Sequence, residues 1–124
     1  MLRALSRMLL GSVFISTSTG AIKNAEHLTD APEALGLPEP VLMVQAHGTV
    51  NLLGGVMLAL GIKPRLAATA LAGNLALTTA GAHRFWEEDD EGDQMAQRVH
   101  FFKNLSLLGG LLAVIACDRS RARN

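Results

Sequence analysis

Side chains able to do chemistry inside an apolar setting are few in this chain, and they fall at helical spacings. His47 and Asn51 stand four residues apart, as do Asn74 and Thr78, and His100, Lys103 and Asn104 follow one another within one and a half turns. Residues three or four apart share one face of a helix, so imidazole and amide groups are presented together there. Such groups can hydrogen-bond a carbonyl oxygen, and an imidazole can also ligate iron or zinc. A haem would need two histidines at matching depth on facing helices; His47 with His100 is the only pair to consider, and haem is not an expected cofactor. A metal site has less support, because no HxxH spacing or adjoining carboxylate occurs within the apolar runs. The acids from Glu87 to Asp93 lack the alternating ligand spacing of a calcium loop and read as a solvated loop. Cys117 is the single cysteine, which excludes an intrachain disulfide, a CxxC pair and a cysteine-built zinc site. With no second thiol and no nucleotide-binding fingerprint, catalysis by this chain alone is not expected.

The elements that must position these groups are four apolar runs, Leu5 to Ile22, Val41 to Gly61, Leu66 to His83 and Val99 to Cys117. Each is about as long as a helix that crosses a bilayer core of about 30 Å at about 1.5 Å per residue. They are too long for strands and rich in Leu, Ala, Met and Gly, so the expected fold is all-α: one domain over residues 1–124, an integral membrane four-helix bundle. Apolar residues make up 49% of the chain and charged ones 18%, with a formal net charge of zero, so nucleic acid is not an expected partner. The first run competes with a cleaved signal peptide, Arg3 and Arg7 forming its basic region. Against that, Ser12, Ser16, Thr19 and Lys23 fall on one narrow stripe, as expected of a retained helix facing a bundle.

Lysine and arginine positions give an orientation. Arg3, Arg7, Lys63, Arg65, Arg119, Arg121 and Arg123 share one side of a four-span topology, and Lys23, Arg84, Arg98 and Lys103 the other. The richer side places both termini in the cytoplasm. On that orientation the polar residues gather in the outer half, with His47 and Asn51 roughly 9 and 15 Å below the outer end of the second span on an ideal rise. Polar groups in hydrocarbon need partners. The expectation is an outward-facing pocket lined by His47, Asn51, Asn74, His100 and Asn104, with His83, Arg84 and Lys103 at its rim; the alternative is that these groups are interhelical hydrogen-bond glue. Phe85, Trp86, Phe101 and Phe102 read as an interfacial aromatic belt, or as a wall for an apolar ring.

Several placed features resemble the DoxX family of small four-helix bacterial membrane proteins. They are Gly11-Ser12-Val13-Phe14 with Gly20 and Lys23, the stretch from Gly48 to Gly55 leading to Leu60-Gly61, and Pro64-Arg65-Leu66-Ala67-Ala68. His83-Arg84-Phe85-Trp86 and the stretch His100 to Leu105 complete the set and resemble actinobacterial members most. The resemblance implies a multi-pass bundle in the bacterial inner membrane with both termini cytoplasmic, in agreement with the charge pattern. It also implies association with redox systems, since proteins similar to DoxX include membrane subunits linked to thiosulfate oxidation with quinone as acceptor, and others that work with thiol or superoxide defence partners. Many relatives carry a glutamate where Asn51 stands here, and an amide cannot exchange a proton at physiological pH. The resulting expectation is an accessory subunit of a membrane redox system whose outer-half pocket holds a quinone-like or lipid-like molecule. Its alternative is a non-catalytic scaffold or assembly subunit of a larger membrane complex. A solute carrier has little support, because no span carries the paired breaks of transporter folds.

Overall fold

The computed structural model describes residues 1–24, 33, 36, 38–82 and 89–123, with side chains omitted for residues 81, 82 and 118–123. Four helices account for nearly all of it: α1 (Leu2–Lys23), α2 (Pro40–Leu60), α3 (Pro64–Ala82) and α4 (Glu91–Arg123). The ends of α2 are written into its sequence. Pro40 opens it, where a missing N–H costs nothing. Gly61 closes it in the left-handed conformation, φ 74°, with its N–H donating to Leu58 O and the Ile62 N–H to Met57 O at 2.8 Å. Pro64 then starts α3 after a three-residue turn, so α2 and α3 must run antiparallel.

The fourth helix corrects the sequence reading at both ends. It begins at Glu91 rather than Val99 and continues as helical backbone to Arg123. Its start is set by Asp90, whose Oδ2 accepts the Asp93 N–H at 3.0 Å and whose carbonyl accepts the Gln94 N–H at 2.8 Å. Glu91 and Asp93 in the first turn suit the positive end of the helix dipole. The last part of the acidic run is therefore helix N-terminus, not loop. Most of the segment between α1 and α2, and residues 83–88 with His83, Arg84, Phe85 and Trp86, lie outside the described residues.

Packing is tightest between α1 and α2. A Cβ on Gly11 would stand 2.6 Å from the Gly55 carbonyl oxygen, and one on Gly55 3.0 Å from Gly11 O. Only glycine admits that approach of two backbones. The α3 helix lies against α2 and α4, and α4 reaches α1 only lightly. Phe14, Leu58, Ala67, Ala68, Leu71, Leu75 and Leu111 form the core, so every helix contributes to it.

The stripe Ser12, Ser16, Thr19 and Lys23 is exposed, contrary to expectation; α1 buries Gly11, Phe14, Ser18 and Ala21 instead. That face is spaced three, four, three, and it packs on α2, Ala21 against Val44 and Gly48, Gly11 against Gly55, with Phe14 and Leu58 in one core. The reason is steric: small residues allow the close crossing. Two of the outward hydroxyls are tolerable because they bond their own helix, Ser12 Oγ donating to Leu9 O at 2.7 Å and Thr19 Oγ1 to Ser16 O at 3.3 Å.

Apolar side chains cover the outside. Leu5, Met8, Leu42, Leu53, Leu60, Leu66, Leu77, Phe102, Leu105 and Leu112 are among those exposed. Among the described residues two helices are long and apolar enough to cross a membrane, Pro40–Leu60 at a mean hydropathy of 1.4 and Glu91–Cys117 at 1.6. The core helix of a water-soluble protein would pass the same test only while mostly buried, yet just 11% of the Glu91–Cys117 window is buried within the chain. That surface demands an apolar medium or partner. Gly11→Val should lower the detergent melting temperature, at a cost of about 1–3 kcal/mol for forced overpacking. Gly73→Ala, where nothing lies within 4 Å of the added carbon, should be neutral or slightly stabilising in the same melt.

Candidate functional site

The expected pocket residues resolve into two polar groupings on different faces of α3. The first joins α2 to α3. Asn74 Nδ2 donates to the His47 carbonyl oxygen at 3.1 Å and to Asn51 Oδ1 at 2.9 Å, which engages both of its hydrogens. Asn51 Nδ2 lies 3.2 Å from His47 Nε2, and Thr78 Oγ1 lies 3.1 Å from His47 Nδ1.

The directions of these bonds follow from hydrogen counting. The Thr78 hydroxyl has one hydrogen, and it goes to the Asn74 carbonyl at 2.9 Å. Toward His47 it can only accept, so Nδ1 carries the hydrogen. Nε2 then presents its lone pair to the Asn51 amide, which donates. The opposite tautomer would set an N–H of Nε2 against the Asn51 NH2. Turning Asn51 over would set its NH2 against that of Asn74 instead. One arrangement satisfies every member, and with Asn51 only 5% exposed, any other would leave a donor facing a donor out of reach of water. Both nitrogens of His47 are thus within hydrogen-bond distance of protein partners, and the grouping works as a clamp between helices.

The second grouping joins α3 to α4. Thr79 Oγ1 donates to Leu75 O at 2.7 Å and accepts from Asn104 Nδ2 at 3.1 Å. Adjacent residues on a helix are about 100° apart, so Thr78 and Thr79 serve two interfaces. Asn104 is 6% exposed, and its bond to Thr79 leaves one amide hydrogen and the carbonyl oxygen unengaged by that contact. Beside it opens a groove of about 420 Å³, lined by Leu75, Ala76, Thr79, Ala80, Phe101, Asn104, Leu105 and Leu108. Its walls are aliphatic apart from Thr79, Asn104 and the Phe101 ring, which stacks edge-on with Phe102 at 5.5 Å and 86°. A recess of this kind suits a molecule with a polar head and an apolar body.

The structure therefore brings His47, Asn51 and Asn74 together, and sets Asn104 apart from them on the far side of α3. His100 and Lys103 are exposed on α4. His83 and Arg84 fall outside the described residues. Sequence reasoning missed Thr79 as the partner of Asn104; the signal was the Thr78-Thr79 pair itself, two hydroxyls that cannot face the same neighbour.

The clamp makes two measurable predictions. Asn74→Ala removes two interhelical bonds and should cost about 1–2 kcal/mol in a detergent melt, at the magnitude of intramembrane hydrogen bonds. The ¹⁵N spectrum of labelled protein should show His47 as the Nδ1–H tautomer, and Asn51→Leu, which removes the fixed amide donor to Nε2 and leaves only a rotatable hydroxyl beside the ring, should abolish that single-tautomer signature.

Among comparisons with known proteins, the family model described as DoxX matches residues 2–84, which takes in α1, α2 and α3 and ends before α4. No curated protein and no solved structure matches the chain. Since the matched span exceeds half of the sequence and coincides with a helical bundle clad in apolar side chains, the chain belongs to the DoxX family and is a membrane protein.

Proposed function

We propose that this protein is an accessory subunit of a membrane redox system, and that the groove between α3 and α4 holds a quinone-like or lipid-like molecule. The observation that carries the reading is the setting of Asn104: a buried amide with hydrogen-bonding capacity beyond its bond to Thr79, at the edge of an otherwise apolar recess. Its N–H is suited to a ring carbonyl, Phe101 to the ring face, and the aliphatic walls to a tail lying toward the bilayer. In this reading His47, Asn51 and Asn74 act indirectly, by holding α3 so that Thr79 meets Asn104. His100 and Lys103, exposed on α4, belong to the rim. The redox assignment rests on the family resemblance.

The same proposal places the chain as a multi-pass protein of the bacterial inner membrane with both termini in the cytoplasm. Support comes from the Lys and Arg distribution, seven on the side of the Lys63 turn and four on the other. The groove then opens in the outer half of the bilayer.

A scaffold role is the second reading, favoured by one observation: the His47 clamp is internally complete, as hydrogen-bond glue should be. One experiment separates the two. A photoreactive short-chain quinone is added to the purified protein in lipid nanodiscs, and labelled peptides are mapped by mass spectrometry. The groove reading expects labels on α3 and α4 near Thr79 and Asn104, and weaker binding by about fivefold in Asn104→Leu, the worth of one neutral hydrogen bond. Random labelling, indifferent to Asn104→Leu, would leave the scaffold in front.

A further inference from the structure

A second recess lies at the other end of the bundle, where α1 and α4 barely touch. It holds about 370 Å³, with Arg3 and Arg7 at its mouth and Leu9, Leu10, Ala113 and Val114 among its walls. Arg7 sits a turn and a half into α1, and its guanidinium does not point away from the protein. It lies over Gly61 at the C-terminal end of α2, where a Cβ would be 3.0 Å from Nη2 and 3.6 Å from Nε. Its Nε is buried and meets no hydrogen-bond partner among the described residues. An N–H of a cation left unsatisfied in that position is costly. The acids whose side chains are described, Glu33, Glu39, Asp89, Asp90, Glu91 and Asp93, all lie toward the opposite end, before α2 and at the start of α4. Asp118 follows the last described side chain of α4.

We infer that this cleft binds an anionic phospholipid, its phosphodiester on Arg3 and Arg7 and an acyl chain along Leu9, Leu10, Ala113 and Val114. Guanidinium groups suit phosphate because their N–H donors match its oxygens in charge and geometry. Ser6 is not a ligand to the anion, because its only hydrogen is donated to Leu2 O at 2.9 Å. The apolar walls distinguish a lipid from a free anion: they run from the arginines into the apolar span, the path that a tail attached to the phosphate would take. A zwitterionic headgroup fits less well, since its ammonium would approach two cations. Interaction of Arg7 with the C-terminal end of the α2 dipole is the plainer role, and it gives no reason for lipid selectivity.

The test is native mass spectrometry of the full chain, released from nanodiscs of phosphatidylglycerol or of phosphatidylcholine. Phosphatidylglycerol should be retained and phosphatidylcholine lost. Arg3→Gln and Arg7→Gln should each reduce retention about fivefold, the worth of one cation near an anionic lipid surface, while Lys23→Gln at the opposite end changes nothing. Arg3 is exposed, so that variant leaves the fold intact and keeps the result readable if Arg7→Gln unfolds. Equal retention of both lipids, or indifference to Arg3→Gln, would overturn the assignment. So would displacement of phosphatidylglycerol by inorganic phosphate alone, which would make the cleft a free-anion site.

Discussion

The backbone contact of α1 with α2 at Gly11 and Gly55 governs the rest of the molecule. Lipid tails are as apolar as leucine, so no hydrophobic drive gathers these helices; close van der Waals approach and internally satisfied polar groups must do it. With glycine at both positions the two backbones come within a methyl group's width of touching. Phe14 and Leu58 are thereby brought into one wall, and α3 seats Ala67, Ala68 and Leu71 on it. Gly54 belongs to the same logic, since a Cβ there would stand 2.9 Å from Leu71 Cδ2. A side chain at Gly11 would push α1 off α2 and take the seat of α3 with it.

Once α3 is seated, its two hydroxyls set the direction of the polar contacts. Thr78 and Thr79 each give their only hydrogen to a carbonyl one turn back in α3. Each oxygen then has nothing left but lone pairs, and its neighbour across the interface must donate. His47 does so through Nδ1 and Asn104 through Nδ2. The two interfaces differ in what remains afterwards. Toward α2 the two asparagines and the imidazole close on one another, whereas toward α4 a single amide stands beside an open groove.

Much of this was legible in the chain itself, and the remainder has definite physical causes. The described residues of the four apolar runs fall within the observed helices apart from Gly61 at the end of the second, and α2 is marked at both ends by Pro40 and Gly61. The start of α4 was hidden because Glu91 and Asp93 have the composition of a loop, although Asp90 caps them into a helix. The face of α1 was misjudged because a polar stripe normally turns inward in a membrane bundle. Here the Ser12 and Thr19 hydroxyls bond their own helix, and the heptad-like spacing of Gly11, Phe14, Ser18 and Ala21 was the better guide. The grouping of His47 with Asn51, and of Asn74 with Thr78, follows from spacing along single helices. That the first pair meets the second while Asn104 turns to Thr79 depends on how each helix is rotated about its axis, and spacing within one helix does not fix that.

The α4 helix differs from the other three in how it is held. The first three are locked by glycine contacts and by the His47 clamp, and they are the portion that the DoxX family model matches. The α4 helix is anchored by Leu111 in the core and by the Asn104 bond to Thr79, with most of its apolar surface facing outward. Its flanks are correspondingly loose, with a groove against α3 toward one end and a cleft against α1 toward the other. Each recess pairs an apolar wall with one kind of polar group, an amide in the first and guanidinium groups in the second. A membrane bundle can keep such recesses only where helix packing is incomplete, because a fully closed interface would fill them with its own side chains. Both recesses of this small chain therefore lie along the helix whose packing against its neighbours is least complete.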